Sequence, residues 1–164
     1  MSGVRLRPTT VADLDFVLAA ERHPDNTPFV GQWTPEQHSS AVRDVDAAHL
    51  VVEDSEQNRV GFVIVLGLKS QDRSLLIQPL VVVDKGRGYG RATLEEVIRL
   101  AFEVWGAHRL ELDVIDHNER ARHLYRSVGF VEEGTLRECY YYGEEGRFRS
   151  SVIMSMLEQE RRKP

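Results

Sequence analysis

A glycine-rich loop between an apolar strand and an amphipathic helix constrains this chain more than any other feature. It lies within residues 82–91, and its alternate glycines and interleaved cations are Gly86, Gly88, Gly90, Lys85, Arg87 and Arg91. Glycines allow backbone N–H groups to wrap around a phosphate, and the N-terminus of the following helix adds roughly half a positive charge at the same place. We therefore expect this loop to bind a phosphorylated cofactor.

The glycine spacing excludes two common phosphate loops. A nucleoside-triphosphate loop requires G-x-x-x-x-G-K-[ST], whereas Gly86 and Gly90 are four residues apart and no Lys-Ser or Lys-Thr follows. A dinucleotide fingerprint requires G-x-G-x-x-G near the start of a βαβ unit, whereas these glycines lie in the middle of the chain. A flexible turn with solvated charges is the structural alternative. It explains poorly why cations flank the glycines directly before a helix.

The spacing resembles the pyrophosphate loop of the GCN5-related N-acetyltransferase (GNAT) family, whose pattern is [QR]-x-x-G-x-[GA]. Lys85-x-x-Gly88-x-Gly90 fits this pattern, with lysine where Gln or Arg is usual. Because backbone N–H groups do most of the holding, the lysine should cost little affinity. The six-residue pattern is only moderately specific and needs support elsewhere in the chain.

A second segment, further along the chain, resembles the other signature of the same family. That signature is a strand, then N-x-x-A-x-x-L-Y, then G-F, and it matches Asn118, Ala121, Leu124, Tyr125, Gly129 and Phe130. The beginning and the tail of the chain also resemble the branch that includes ribosomal-protein N-terminal and polyamine acetyltransferases. Two signatures in the right order are far more specific than either one alone, and the resemblance covers nearly the whole chain.

The resemblance implies an α/β (α+β) chain with the GNAT fold. In that fold a mixed, largely antiparallel central sheet is flanked by helices, and the strand before the glycine loop splays from its neighbour. A length of 164 residues agrees with one domain over residues 1–164, ending in a polar tail at 158–164. We also expect Pro79 to cause a bulge or splay, because it cannot donate to the sheet.

Local patterns predict the secondary structure independently. Helices are predicted over Val11–Arg22, from Pro35, over the apolar stripe from Leu94 to Trp105, and between Asn118 and Gly129. Strands are predicted over Val4–Arg7, His49–Glu53, Val60–Leu68, Leu75–Val83, Leu110–Val114, Val131–Tyr142 and Arg147–Leu157.

The resemblance also assigns residues to the coenzyme. Backbone groups of the strand before the loop would pair with the pantetheine arm, and these residues are Val81, Val82 and Val83. The cradle for the pyrophosphate would be Lys85, Gly86, Arg87, Gly88, Tyr89, Gly90 and Arg91. Asn118 and Ala121 would lie beside the pantetheine.

Tyr125 is the candidate acid for the departing sulfur. A phenol with a pKa of about 10 is protonated at neutral pH and can hydrogen-bond a leaving thiolate. Asn118, Ala121 and Tyr125 are spaced i, i+3 and i+7, so one helix face presents all three. The structural alternative is that Asn118 is only a helix cap and Tyr125 a core aromatic.

The general base is harder to identify. Many relatives place a glutamate on the strand before the glycine loop, whereas Leu75–Leu80 contains no acid. Glu21 is a candidate for binding or deprotonating the amine, and a solvated surface charge is the alternative. Water could also take the proton, in which case an amine of pKa near 9 would cost about 3 kcal/mol to neutralise at pH 7.

Aromatic residues are candidates for the acceptor pocket. Phe29, Trp33 and the run Tyr140–Tyr142 could line it, although simple packing is the more common role of such residues. The six histidines show neither HExxH nor Cys/His spacing, so we predict no metal site.

Composition limits the remaining possibilities. A net charge of −5 argues against non-specific nucleic-acid binding. The longest apolar stretch, Val60–Leu68, is too short to span a bilayer, and the N-terminus lacks an apolar signal region. Cys139 is the single cysteine, so an internal disulfide is impossible. We expect a cytoplasmic protein without membrane or nucleic-acid partners, and a homodimer stays open.

Together these features predict an acetyl-CoA-dependent N-acetyltransferase. The acceptor would be a primary amine, either a small molecule or a protein N-terminus. Direct transfer in a ternary complex needs no covalent enzyme intermediate, because positioning alone removes several kcal/mol from the barrier. The alternative is a non-catalytic coenzyme A-binding sensor or interaction module, which the missing strand glutamate keeps open.

Overall fold

The computed structural model describes residues 3–161. Within them, one sheet has the strand order β1-β2-β3-β4-β5-β7-β6. The strands are β1 (Arg5–Pro8), β2 (Ala47–Glu53), β3 (Arg59–Leu66), β4 (Ser74–Val82), β5 (Arg109–Ile115), β6 (Val131–Tyr142) and β7 (Arg147–Leu157). The α-helices are α1 (Leu14–Arg22), α2 (Pro35–Arg43), α3 (Tyr89–Arg99) and α4 (Glu119–Val128).

The sheet opens at its middle. β4 and β5 form its parallel pair, and they are joined only from Ser74 opposite Arg109 to Ile77 opposite Leu112. Beyond those residues both strands continue without pairing to each other, so the two diverge. The predicted mixed sheet with a splayed strand before the glycine loop is thereby confirmed.

The irregularity expected at Pro79 lies between β4 and β3, on the side of β4 away from β5. Val63 pairs with Leu80 and Val65 pairs with Ile77, so two residues of β4 oppose one residue of β3. Proline has no N–H to donate to the ladder, which accounts for a bulge at this position.

The helix that follows the glycine loop packs its apolar stripe on the sheet as predicted. Leu94, Val97 and Ile98 are buried, and the same core includes Leu110 of β5 and Met154 of β7. The helix ends in a wider turn over Leu100–Val104, in which the Trp105 N–H donates to the Leu100 carbonyl at 2.8 Å. Burial of this stripe anchors α3 against the sheet.

The first helix differs in detail from its prediction. Val11–Asp13 forms one 3-10 turn, and the α-helix starts at Leu14. The Asp13 carboxylate accepts the Thr10 N–H at 2.9 Å and forms an ion pair with Arg7 at 2.7 Å. These contacts hold the tight turn in place. Glu21 lies inside the last turn of this helix.

The C-terminal half matches its predicted boundaries closely. The Asn118 side chain caps α4 by accepting the Ala121 N–H at 3.2 Å, and Gly129, at a φ of 112°, ends the helix. β6 and β7 have the predicted bounds.

The predicted polar tail is partly structured. Glu158–Glu160 forms a 3-10 turn, and the Arg161 guanidinium donates to the Glu103 carboxylate. Residues 162–164 lie outside the described part of the chain. Over residues 3–161, each helix is too short or too polar to cross a membrane.

Candidate active site

A cavity of about 560 Å³ lies where β4 and β5 diverge. Its walls come from four segments, namely Thr27–Gln32 between α1 and α2, Ile77–Leu80 of β4, Leu112–Ile115 of β5 and the hairpin residues Tyr140–Glu145. Asn118 and Tyr125 of the α4 region complete the lining. The splay of the two strands therefore opens a cavity that reaches the final hairpin.

The predicted strand segment Val81–Val83 does not line this cavity, and one of its residues directs its backbone away from β3. The Val83 N–H donates to the Val60 carbonyl at 2.9 Å, so the polar groups of Val83 point toward β3. In an antiparallel ladder these groups alternate in direction, so those of Val81 also face β3 and those of Val82 face the opening. Val82 thus directs its backbone groups away from β3, and its carbonyl accepts a hydrogen bond from Asn26 Nδ2 at 3.4 Å, whereas Val81 and Val83 pair with β3.

The glycine loop ends in a cluster of amide donors. Gly86 and Gly88 both have a φ of 82°, a left-handed conformation that favours glycine. The first helical bond of α3 runs from the Ala92 N–H to the Gly88 carbonyl at 3.0 Å. The amides that consequently have no acceptor inside the helix are those of Tyr89, Gly90 and Arg91. Such a helix start is suited to an anion.

The cations of the loop already have protein partners. Lys85 Nζ donates to the Asp25 carbonyl at 3.0 Å, and burial, with repulsion from Arg120, lowers the pKa of this lysine. Arg87 pairs with Asp84 at 3.0 Å and stacks over the ring of buried Tyr89. Arg91 donates to Ser127 Oγ at 2.6 Å. Each cation must exchange or share a partner before it can bind a phosphate.

Tyr125 lies on α4 with its phenol toward the cavity. Burial, together with the negative charge of Asp113, raises the pKa of Tyr125 to about 12. Its hydroxyl forms no hydrogen bond with any residue from 3 to 161. The phenol therefore stays protonated at neutral pH and is free to donate to a ligand. Asn118 lines the same cavity, whereas the partly buried Ala121 packs against the core.

Asp113 is a cavity residue that the sequence analysis missed. It lies on β5 and lines the cavity, and its Oδ2 accepts hydrogen bonds from Tyr140 Oη at 3.0 Å and Ser151 Oγ at 2.8 Å. Both bonds end on the same oxygen, so Oδ1 has no hydrogen-bond partner within the described residues. The signal in the sequence was an acidic residue between the apolar Leu112 and Val114 of an alternating strand.

The structure does not bring Glu21 to the cavity. Its side chain is 0% exposed, and both carboxylate oxygens lie 3.2 Å from His38 Nε2. The expectation that Glu21 meets the acceptor amine is therefore not supported, and a solvated surface charge is also wrong. The cause is that α2 packs against α1 and supplies His38 as the partner of this carboxylate, with His49 of β2 bonded to the other side of the His38 ring.

The aromatic candidates do not all lie in the cavity, because one of them packs beside His38 instead. Phe29 lines the cavity and lies 5.2 Å from the His117 ring, which in turn lies 6.3 Å from Tyr142. Trp33 does not line it but packs 5.2 Å from the His38 ring. Across residues 3–161, no group of three or more His, Cys, Asp or Glu side chains is arranged to hold a metal.

Comparison with known proteins agrees with this architecture. The model of the acetyltransferase (GNAT) family matches residues 16–130. The spermidine N(1)-acetyltransferase of Vibrio cholerae is 29% identical, covering 96% of this chain and 94% of that protein. The enzyme of the same name from Escherichia coli is 23% identical, covering 96% and 88%.

Solved structures show the same fold. The crystal structure of spermidine N-acetyltransferase from Vibrio cholerae in complex with CoA and spermine superposes with a TM-score of 0.85. It is 25% identical and covers 96% of each chain. The predicted fold and acetyl-CoA-dependent amine acetylation are confirmed, so the non-catalytic alternative is not needed. The chain belongs to the GNAT family and is an acetyl-CoA-dependent N-acetyltransferase.

Proposed function

We propose that this enzyme acetylates a primary amine of a polyamine, with spermidine as the model substrate. The observation that carries the proposal is the Asp113 carboxylate in the same cavity as the Tyr125 phenol. The carboxylate can bind a positively charged amine, and the phenol can give a proton to a leaving thiolate. The names of the relatives, spermidine N(1)-acetyltransferases, and the complex of one of them with CoA and spermine support the same acceptor class.

The mouth of the cavity also suits a chain with several cations. Glu144 and Glu145 line it at the turn between β6 and β7, and Glu145 also pairs with Arg149 at 2.8 Å. The aromatic rings there come from Phe29, Tyr140, Tyr141 and Tyr142. Carboxylates attract distal ammonium groups, and aromatic faces accept both methylene groups and cations. A polyamine alternates these two chemical features along its length.

The coenzyme would enter from the glycine loop. The cluster of free amides at the start of α3 fits a pyrophosphate, with Gly86 and Gly88 forming the turn and Lys85, Arg87 and Arg91 exchanging their present partners for phosphate oxygens. The outward-facing backbone groups of Val82 fit the amides of pantetheine, with the carbonyl exchanging Asn26 Nδ2 for a pantetheine N–H, and Asn118 and Ala121 would flank that arm. When bound, acetyl-CoA supplies the acetyl group as a thioester.

We assign the proton transfers to Asp113 and Tyr125. Asp113 holds the ammonium group and accepts one of its protons, directly or through water. The amine nitrogen then bonds to the acetyl carbon as the carbon–sulfur bond breaks, and Tyr125 gives its proton to the sulfur. The second nitrogen proton returns to the phenolate through water, and Asp113 releases its proton to solvent. Asp113 thus takes the role that was expected of Glu21, and Trp33 supports the wall from behind.

An acceptor panel tests this proposal. The enzyme would be given acetyl-CoA with spermidine, propylamine or a short peptide with a free N-terminus, and products would be identified by mass spectrometry. An additional, partly screened ion pair at the mouth should raise kcat/KM for spermidine about threefold over propylamine. A clear preference for the peptide would overturn the polyamine assignment while leaving the acetyltransferase activity intact.

Several expectations from the sequence stay predictions. These are a single domain over residues 1–164, a cytoplasmic location, the lack of nucleic-acid and membrane partners, and a homodimer. Light scattering of the purified protein at two concentrations tests the homodimer.

A further inference from the structure

A buried chain of polar side chains lies behind the cavity, and the proposed chemistry does not use it. It joins Glu21 of α1, His38 of α2, His49 of β2 and Thr9 after β1, each at most 5% exposed. Glu21 meets His38 Nε2 at 3.2 Å, His38 Nδ1 meets His49 Nε2 at 3.1 Å, and His49 Nδ1 meets Thr9 Oγ1 at 2.8 Å. We name these four residues the buried relay.

The buried relay has two complete hydrogen-bond patterns that differ by one proton. In the first, His38 and His49 are neutral and carry their protons on Nε2, so every bond runs from Thr9 toward the Glu21 carboxylate. In the second, one added proton is shared between Glu21 and His38. His38 Nδ1 then donates to His49 Nε2, and His49 Nδ1 donates to Thr9. Each ring nitrogen is satisfied in both patterns, but the direction of the bonds between the rings is reversed.

The surroundings favour the pattern with the added proton. Phe62 stacks on His49, and Trp33 and Phe62 pack against His38, so apolar rings surround both imidazoles. Asp13 is the additional charge that acts on His49, and it is negative. A fully buried carboxylate without a compensating positive charge is costly, whereas a carboxylate and an imidazole that share a proton are neutral together.

The buried relay is tied directly to the wall of the cavity. Gln32 Nε2 donates to the backbone carbonyl of Glu21 at 3.0 Å, and Trp33 contacts His38. Gln32 is the last residue of the segment Thr27–Gln32, which follows α1 and lines the cavity. Inside this segment, the N–H groups of Phe29 and Val30 donate to the Asn26 carbonyl at 2.9 and 3.1 Å. The spacing of α1 and α2 therefore sets where this wall stands.

We propose that Glu21 and His38 are positioning residues, and that the proton they share fixes the acceptor wall at residues 27–32. This assignment of the wall to the acceptor rests on the proposed function. The shared proton itself and the order of the wall do not depend on which amine is acetylated.

Nitrogen NMR of the histidine rings at pH 7 tests the shared proton in the wild-type protein. The proposal predicts that His49 carries its proton on Nδ1, because its Nε2 accepts from His38. In Glu21→Gln no carboxylate remains to hold the added proton, so the bonds should reverse and the His49 proton should move to Nε2. A wild-type His49 protonated on Nε2 would overturn the shared proton, and this result needs neither a variant nor turnover.

Hydrogen exchange and kinetics test the positioning role. In Glu21→Gln, the Phe29 and Val30 amides should exchange about tenfold faster than in the wild type. The KM for spermidine should rise about fivefold, with kcat and the Kd for acetyl-CoA within about twofold. Glu36→Gln, an exposed change on α2, is the matched control and should alter none of these values.

The two readouts separate the two proposals. Unchanged exchange of Phe29 and Val30 would overturn the positioning role whatever the substrate. Faster exchange together with no acetylation of spermidine by the wild type would retain the positioning role and reject only the polyamine acceptor. If the wild type does acetylate spermidine, faster exchange in Glu21→Gln with an unchanged KM for spermidine would overturn the link between this wall and the acceptor.

Discussion

The hydroxyl of Tyr140 donates a hydrogen bond of 3.0 Å to the carboxylate of Asp113, joining the final hairpin to the strand that borders the splay. Ser151 binds the same oxygen at 2.8 Å. Because both donors use Oδ2, the carboxylate is held in one orientation while Oδ1 is left for another partner. A carboxylate oriented in this way is suited to receive an ammonium group.

Replacing Asp113 with Asn should reduce acetyl transfer without weakening coenzyme binding. The amide keeps the shape of the side chain but neither attracts an ammonium group nor accepts its proton. General-base loss of this kind lowers kcat/KM for spermidine by about 10- to 100-fold. Steady-state kinetics with a free-thiol readout measures the effect. Asp72→Asn, at an exposed position, is the control, and equal activity of both variants would exclude Asp113 from the mechanism.

Tyr125→Phe should lower kcat by about 10- to 100-fold, because it removes the proton donor for the sulfur and keeps the ring. Calorimetry should give a Kd for acetyl-CoA within about twofold of the wild type. Since the pKa of Tyr125 is raised to about 12, the wild-type enzyme should lose no activity through this phenol below pH 10. Unchanged turnover of the variant would remove Tyr125 from the chemistry.

The Glu144 carboxylate should matter for long acceptors only. It lines the mouth of the cavity and is exposed, so its attraction for a distal ammonium group is partly screened by solvent. Glu144→Gln should raise the KM for spermidine about threefold and leave that for propylamine unchanged. Glu138→Gln, an exposed change elsewhere on β6, serves as the comparison. Equal effects on both amines would show that Glu144 does not bind the distal cation.

Stability should fall as the pH is lowered through the range set by His49. Burial, together with the positive charge of His38, lowers the pKa of His49 to about 4, against 6.5 for an ordinary histidine. Between these values the unfolded chain binds the proton and the folded chain does not. Acidification therefore removes up to about 3 kcal/mol of the free energy of unfolding.

Urea denaturation at pH 7 and pH 4.5 measures this loss. His49→Gln, although less stable at pH 7, should show a smaller change between the two values. His23→Gln alters an exposed histidine and should keep the wild-type change. If His49→Gln and the wild type lose the same free energy on acidification, His49 does not set the pH dependence.

Much of the fold followed from local patterns. The boundaries of β6 and β7 were predicted because a glycine-containing turn separates two clear strands. The helix after the glycine loop was predicted because its apolar residues recur on one face. The splay followed from the resemblance, and the bulge against β3 followed from Pro79, which cannot donate to the ladder.

The surroundings of Glu21 could not be predicted from local patterns. Its partner His38, and His49, which hydrogen-bonds His38, are distant in the sequence and meet only after α2 packs on β2. Near the end of an amphipathic helix, a glutamate is indistinguishable by pattern from a solvated one. Tertiary contacts decided its position, and they also explain why a carboxylate can be buried there.

Asp113 was missed for a different reason. The alternation of Leu110, Leu112 and Val114 identified the strand and its buried face correctly. The alternation alone does not show what the residues between them contact. Only the divergence of β4 from β5 turns part of this strand into the wall of a cavity.

Thermal unfolding with and without acetyl-CoA tests most directly whether the glycine loop binds the coenzyme. At a hundred times its Kd, the ligand should stabilise the wild-type protein by about 2.7 kcal/mol. Gly88→Val places a side chain at the phosphate turn and should raise the Kd at least about tenfold. Gly106→Val also strains a left-handed glycine, but away from the loop, and should retain the full ligand shift. A wild-type protein with no shift at millimolar acetyl-CoA, or a Gly88→Val variant with the wild-type shift at sub-saturating ligand, would contradict the assignment of the loop.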